Sequence, residues 1–98
     1  MALLDLLGRR WNLRILWELR DGGGARFRAL QTRCDGMSPS VLSTRLRELR
    51  ELGLVELRKE DGYRLTADGQ SLLVLLEPVR NWTNRWAAHL AGRGGPLT

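Results

Sequence analysis

The sequence predicts a mainly α-helical fold with one small β-hairpin, in the order helix, helix, helix, hairpin, long helix. Three observations carry this. Apolar residues recur at three- and four-residue steps in four stretches, the spacing that lines them along one helical face. Gly-containing breaks divide the stretches, most clearly Asp21-Gly22-Gly23-Gly24, because consecutive glycines do not sustain a helix. Between the third and fourth stretches, residues 54–58 and 63–65 read as short strands around Asp61-Gly62, a pair suited to the positive φ angles of a tight turn.

Over residues 3–19, Leu3, Leu4, Leu7, Trp11, Ile15, Leu16 and Leu19 form one stripe, with Gly8 as a candidate break. Phe27, Leu30 and Cys34 then mark the apolar face of a second helix of about three turns, ending near Asp35-Gly36. Ser38-Pro39 opens the third. The serine hydroxyl accepts from orphan amides, and proline at the first helical position forfeits no hydrogen bond. Leu42, Leu46 and Leu49 fix the buried side of that helix, and Gly53 closes it. At about 100° per residue, Ser40, Ser43, Thr44 and Arg47 point the other way. Thr66 or Asp68 caps a long final helix whose stripe, Leu72, Leu76, Val79, Trp82, Trp86 and Leu90, is almost heptad-like, with an interruption and bend expected at Pro78. Beyond residue 90 glycine dominates without periodicity, which predicts one domain over 1–90 and a flexible tail over 91–98.

A chain of 98 residues has room for one small core. The net charge of +5 favours polyanions, but Lys59 is the only lysine, and an arginine-rich composition also follows from a GC-rich genome. The distribution is more informative, since residues 26–64 hold nine basic side chains against six acidic ones. The single cysteine, Cys34, excludes an internal disulfide and a cysteine-based metal site, and its place at the end of an apolar face suits a small buried hydrophobe better than a sensor. No apolar run reaches the ~18 residues of a membrane span, and the Met-Ala-Leu-Leu-Asp start lacks the basic segment of a signal peptide, so a cytoplasmic protein is expected. His89 has no ligand or base at a useful spacing. With no nucleophile beside a base and no phosphate-binding glycine loop, the chain is expected to have no catalytic residue, cofactor or metal.

Two helices joined by a short turn, the second amphipathic with a polar front, followed at once by a hairpin, describe a helix-turn-helix with a wing, whose natural partner is double-stranded DNA. Arg47 is the sharpest candidate for contact, since a guanidinium bonds guanine O6 and N7 together; an ion pair with Glu51 is the competing role. Ser40, Ser43 and Thr44 join it on the front of the helix. Ser38 serves as cap and offers an amide to phosphate, while Arg26, Arg58, Lys59 and Arg64 are candidates for flanking phosphates. The rival reading is a winged-helix adaptor that binds protein, which would call for exposed apolar anchors on that front. Trp11, Trp82 and Trp86 fall on apolar stripes, as core or interface residues do. Trp17 lies off the stripe, packing across a dimer or lining a cavity. Leu3, Leu7, Leu72, Leu76, Val79, Trp82 and Trp86 are the expected homodimer interface, which sets two third helices about one DNA turn apart, ~34 Å.

The joint pattern of Arg10-Trp11, Ile15-Leu16, Leu19, Arg26-Phe27 and Leu30, then residues 36–49, Gly53-Leu54-Val55, Tyr63-Arg64-Leu65-Thr66 and Gly69, resembles the HxlR-type regulators over residues 4–86. That resemblance implies a MarR-related winged-helix homodimer on pseudo-palindromic operators, associated with the nucleoid, and regulated by a small-molecule effector or a modification that changes the angle between the wings. The sequence departs from the family's pattern in having no cysteine ahead of the first helix, a shorter wing and a slightly longer glycine loop.

Overall fold

A computed structural model describes residues 11–92. Its elements are α1 (Asn12–Glu18), α2 (Phe27–Arg33), α3 (Pro39–Glu51), β1 (Val55–Arg58), β2 (Gly62–Leu65) and α4 (Ala67–Gly92). The predicted order holds. Leu3, Leu7, Gly8 and residues 93–98 lie outside the described residues.

α1 starts later than its stripe suggests. Trp11 is its N-cap with φ of 83°, so the left-handed backbone there ends any continuous helix through position 11. Trp11 therefore packs on the core from a turn and not from a helical stripe. α2 has seven residues, about two turns instead of three. Its stop is a paired-carbonyl cap: the Gly36 amide donates to the Gln31 carbonyl at 2.9 Å and the Asp35 amide to that of Thr32 at 3.1 Å, with Asp35 left-handed at φ 59°. α3 begins as expected, with the Val41 amide donating to Ser38 Oγ at 3.2 Å and Pro39 in the first turn. Its end repeats the α2 device, the Gly53 amide donating to Arg50 and the Leu54 amide to Leu49, both at 3.0 Å.

The hairpin pairs Val55 with Leu65 and Arg58 with Gly62, leaving residues 59–61 as the connection. Only Gly62, at φ 80°, has a positive φ; Asp61 does not. Glycine is required for a second reason. Ala25 bridges to Tyr63 by two 2.8 Å backbone hydrogen bonds, and a Cβ on Gly62 would stand 2.6 Å from the Ala25 carbonyl oxygen. The wing is thus held by the segment that leads into α2.

Thr66 is the cap of α4, accepting from the Gly69 amide at 3.1 Å. α4 then runs unbroken through Pro78 to Gly92, so the helix passes the expected boundary at 90 and the proline does not interrupt it. Val74, whose carbonyl loses its partner to Pro78, is exposed, so water can satisfy the freed oxygen. The core gathers Ile15, Leu16 and Leu19 from α1, Leu30 with Cys34 from α2 and its cap, Leu42, Leu46 and Leu49 from α3, and Leu54, Val55 and Leu65 around the hairpin. Two arginines lock α1 to α2 reciprocally. Arg14 donates to the Arg33 carbonyl at 2.9 Å and Arg33 to the Glu18 carbonyl at 3.0 Å, each cation meeting the negative end of the other helix.

Candidate nucleic-acid interface

With Leu42, Leu46 and Leu49 turned into the core, α3 presents Ser40, Ser43 and Arg47 to solvent, while Thr44 is half-buried. Ser40 Oγ lies 3.2 Å from Ser38 Oγ, which links the front of the helix to its cap. Arg47 forms no ion pair among the described residues, and the pairing with Glu51 is not made; Arg45 and Glu48 pair instead, at 3.2 Å. Arg47 and Arg50 line one side of a groove of about 530 Å³ whose other side is Val55, Glu56 and Leu57 of β1. Arg50 was missed by sequence reasoning, although its spacing of three from Arg47 was the available signal.

The four cations around the wing separate into different roles. Arg58 Nε meets Glu56 at 3.0 Å. Arg64 lies between Glu56 at 3.7 Å and Asp61 at 3.3 Å and is turned towards these carboxylates. Arg26 donates from Nη2 to the carbonyls of Lys59 at 3.3 Å and Glu60 at 3.0 Å. Lys59 is exposed and makes no ion pair among the described residues. The helix front and the wing together therefore offer Arg47, Arg50 and Lys59 as cations with no carboxylate partner among the described residues.

The predicted interface residues divide as well. Leu72 packs on the chain's own core, and Leu76 and Val79 line a cleft of about 380 Å³ with Leu13, Trp17 and Leu73. Trp17 takes the cavity-lining role, and the guanidiniums of Arg20 and Arg80 lie 4.0 and 4.4 Å from its ring centre. Val79, Trp82 and Trp86 are 57%, 56% and 40% exposed, and the two indoles stack 5.7 Å apart. Leu75, at 71%, falls on the same face and was missed, although Leu75, Val79, Trp82 and Trp86 keep strict heptad spacing.

Cys34 is fully buried, and burial foremost, with the Glu18 carboxylate second, pushes its thiol above the ordinary range. Among the described residues no three His, Cys, Asp or Glu side chains gather to hold a metal, and no helix is long and apolar enough to cross a membrane.

A three-helix core, a helix-turn-helix ending in α3, and a hairpin laid beside it define a winged helix-turn-helix of the kind found in transcriptional regulators. Comparison with known proteins agrees. Residues 6–91 match the HxlR-like helix-turn-helix family. A relative described as an uncharacterized HTH-type transcriptional regulator, YvaP of Bacillus subtilis (strain 168), is 32% identical, spanning 85% of this chain and 82% of its own. The crystal structure of quinone-bound YodB from B. subtilis superimposes with a TM-score of 0.77 at 31% identity, covering 86% of this chain and 92% of that one. A Mycobacterium tuberculosis MarR family protein, Rv2887, gives 0.66 at 31% identity over 91% of this chain and 68% of its own. The chain belongs to the HxlR-like helix-turn-helix family of transcriptional regulators, on a MarR-like winged-helix fold.

Proposed function

We propose that this regulator binds double-stranded DNA sequence-specifically as a homodimer, with α3 in the major groove, the wing on flanking phosphate, and its operator a pseudo-palindrome. The observation that carries the reading is the front of α3: Ser40, Ser43 and Arg47 are exposed on one side of a helix whose other side is core, and Arg47 is left without an ion pair among the described residues. Arg47 reads a base, while Arg50, Lys59 and the amide end of α3 at Ser38 take phosphates. The exposed face of α4 at Leu75, Val79, Trp82 and Trp86 supports a two-fold interface, which supplies the second half-site. The domain comprises the winged-helix body and α4, and the protein acts in the cytoplasm on the nucleoid. A small-molecule effector fits the reading, given that a structural relative carries a bound quinone.

The test is fluorescence anisotropy with DNA from upstream of the protein's own gene and with scrambled DNA, at two salt concentrations, using wild type and Arg47→Ala. Tighter binding to the upstream DNA, with most of the preference lost in the variant, supports the reading. Binding that ignores sequence for every fragment recovered in a genome-wide selection would refute it and leave the adaptor reading.

A further inference from the structure

We infer that Arg26 is a positioning residue that aims the wing at DNA and is not itself a phosphate ligand; this rests on the DNA-binding reading above. Arg26 occupies the N-cap of α2 in extended conformation, φ −76° and ψ 164°, so its side chain leaves the helix-turn-helix towards the hairpin. There its Nη2 reaches two successive carbonyls, those of Lys59 and Glu60, across more than thirty residues of sequence. These carbonyls belong to the connection over residues 59–61, which has no place in the β1–β2 ladder, since the last pair is Arg58 with Gly62. The preceding residue, Ala25, pairs on both sides with Tyr63. Consecutive residues thus fasten the wing to the start of α2, Ala25 through its backbone and Arg26 through its guanidinium.

The side chain that depends on this fastening is Lys59. Arg58 and Arg64 are occupied by Glu56 and Asp61, so Lys59 is the hairpin's one cation with no ion pair among the described residues, and its own carbonyl is one of the two that Arg26 holds. Release of the two carbonyls to water lets the connection reorient, and Lys59 then meets phosphate less often. Arginine is suited to the task because its planar donors serve two acceptors from a fixed plane. An ammonium on a flexible stem carries the same charge without that geometry.

The experiment compares Arg26→Ala, Arg26→Lys, Lys59→Ala and the double variant Arg26→Ala/Lys59→Ala, measuring the salt dependence of affinity for a bound DNA fragment. In the wild-type background Lys59→Ala should flatten the slope of log affinity against log salt by about 0.9 per protomer. In the Arg26→Ala background it should flatten the slope by less than half as much, and Arg26→Lys should behave like Arg26→Ala although it keeps the charge. Additive losses, or wild-type behaviour of Arg26→Lys, would make Arg26 an ordinary phosphate contact and overturn the inference. Backbone ¹⁵N order parameters of the DNA-free proteins separate the two questions. Both Arg26 variants should lower them over residues 59–61 and leave α1 and α3 unchanged, and an unchanged wing overturns the clamp whatever DNA does. If wild type shows no specific binding while the wing does loosen, the failure belongs to the DNA-binding reading.

Discussion

The hydroxyl of Thr66 donates to the carbonyl of Gly53, so the cap of α4 grips the residue that ends α3. The same oxygen accepts from the Gly69 amide at 3.1 Å, and the Thr66 amide donates to the Leu54 carbonyl at 3.1 Å. One residue therefore ties the last turn of α3 to the first turn of α4, across the hairpin between them. Thr66→Val keeps the shape and loses both side-chain bonds, which should destabilise the protein by about 1–2 kcal/mol. Thr66→Ser should retain most of the stability. Urea unfolding checks this, the midpoint falling with the slope unchanged.

Gly69 reverses an ordinary rule. Replacing glycine by alanine inside a helix usually adds about 1 kcal/mol of helix stability. At Gly69 the new Cβ would collide with the Leu54 carbonyl, a backbone atom with little freedom to move. Gly69→Ala is expected to cost about 1–3 kcal/mol by pushing α4 off the hairpin. Gly92, where nothing among the described residues lies within 4 Å, is the matched control and should show no loss. Thermal unfolding of the two variants, compared at one protein concentration, should read a loss at Gly69 and none at Gly92.

These two positions show what the sequence could and could not disclose. A hydroxyl before an apolar run is a local signal, so Thr66 and Ser38 could be read as caps, and the buried stripe of α3 followed from its own spacing. The contact of Gly69 with Leu54 joins segments far apart in sequence, and no local pattern announces it. The stop of α2 near Asp35-Gly36 was legible, but its length was overstated, because Phe27 to Arg33 is seven residues and about two turns. Leu72 and Leu76 were assigned outward and Leu75 overlooked because neighbours three and four apart both satisfy a helical period; the packing of α1 against α4 decides which side is inner. The wing arginines were legible as charges, but their partners follow from strand register and from the reach of Arg26.

Cys34 should behave as core. Its thiol is pushed up by burial first and by Glu18 second, so the folded state binds the proton more tightly than the unfolded state. The stability linked to this group is complete below the ordinary thiol range of the unfolded chain. It declines as pH rises from there through the higher folded value. Reaction with a disulfide reagent at pH 8 should be slow in buffer and accelerate with sub-denaturing urea, because opening must come first. Fast reaction of the folded protein, insensitive to urea, would instead mark an accessible sensor thiol.

The α4 face makes the sharpest test of assembly. Leu75, Val79, Trp82 and Trp86 stand at heptad spacing with 40–71% of their surfaces exposed, and stacking of the two indoles broadens the patch. Each aromatic can bury ~150–250 Å² against a partner. On the proposed homodimer, Leu75→Glu and Trp82→Glu should therefore yield monomers in sedimentation equilibrium, with the helical spectrum retained. Val74→Glu, equally exposed but off the heptad line, should remain dimeric. Leu72→Ala should act differently from either, because Leu72 packs half-buried on the chain's own core: it should lower the unfolding free energy by about 1–2 kcal/mol with the mass of the assembly unchanged. If the monomeric variants also lose operator affinity far more than their retained half-site contacts explain, the spacing of two α3 helices across the two-fold is what the long helix contributes to recognition.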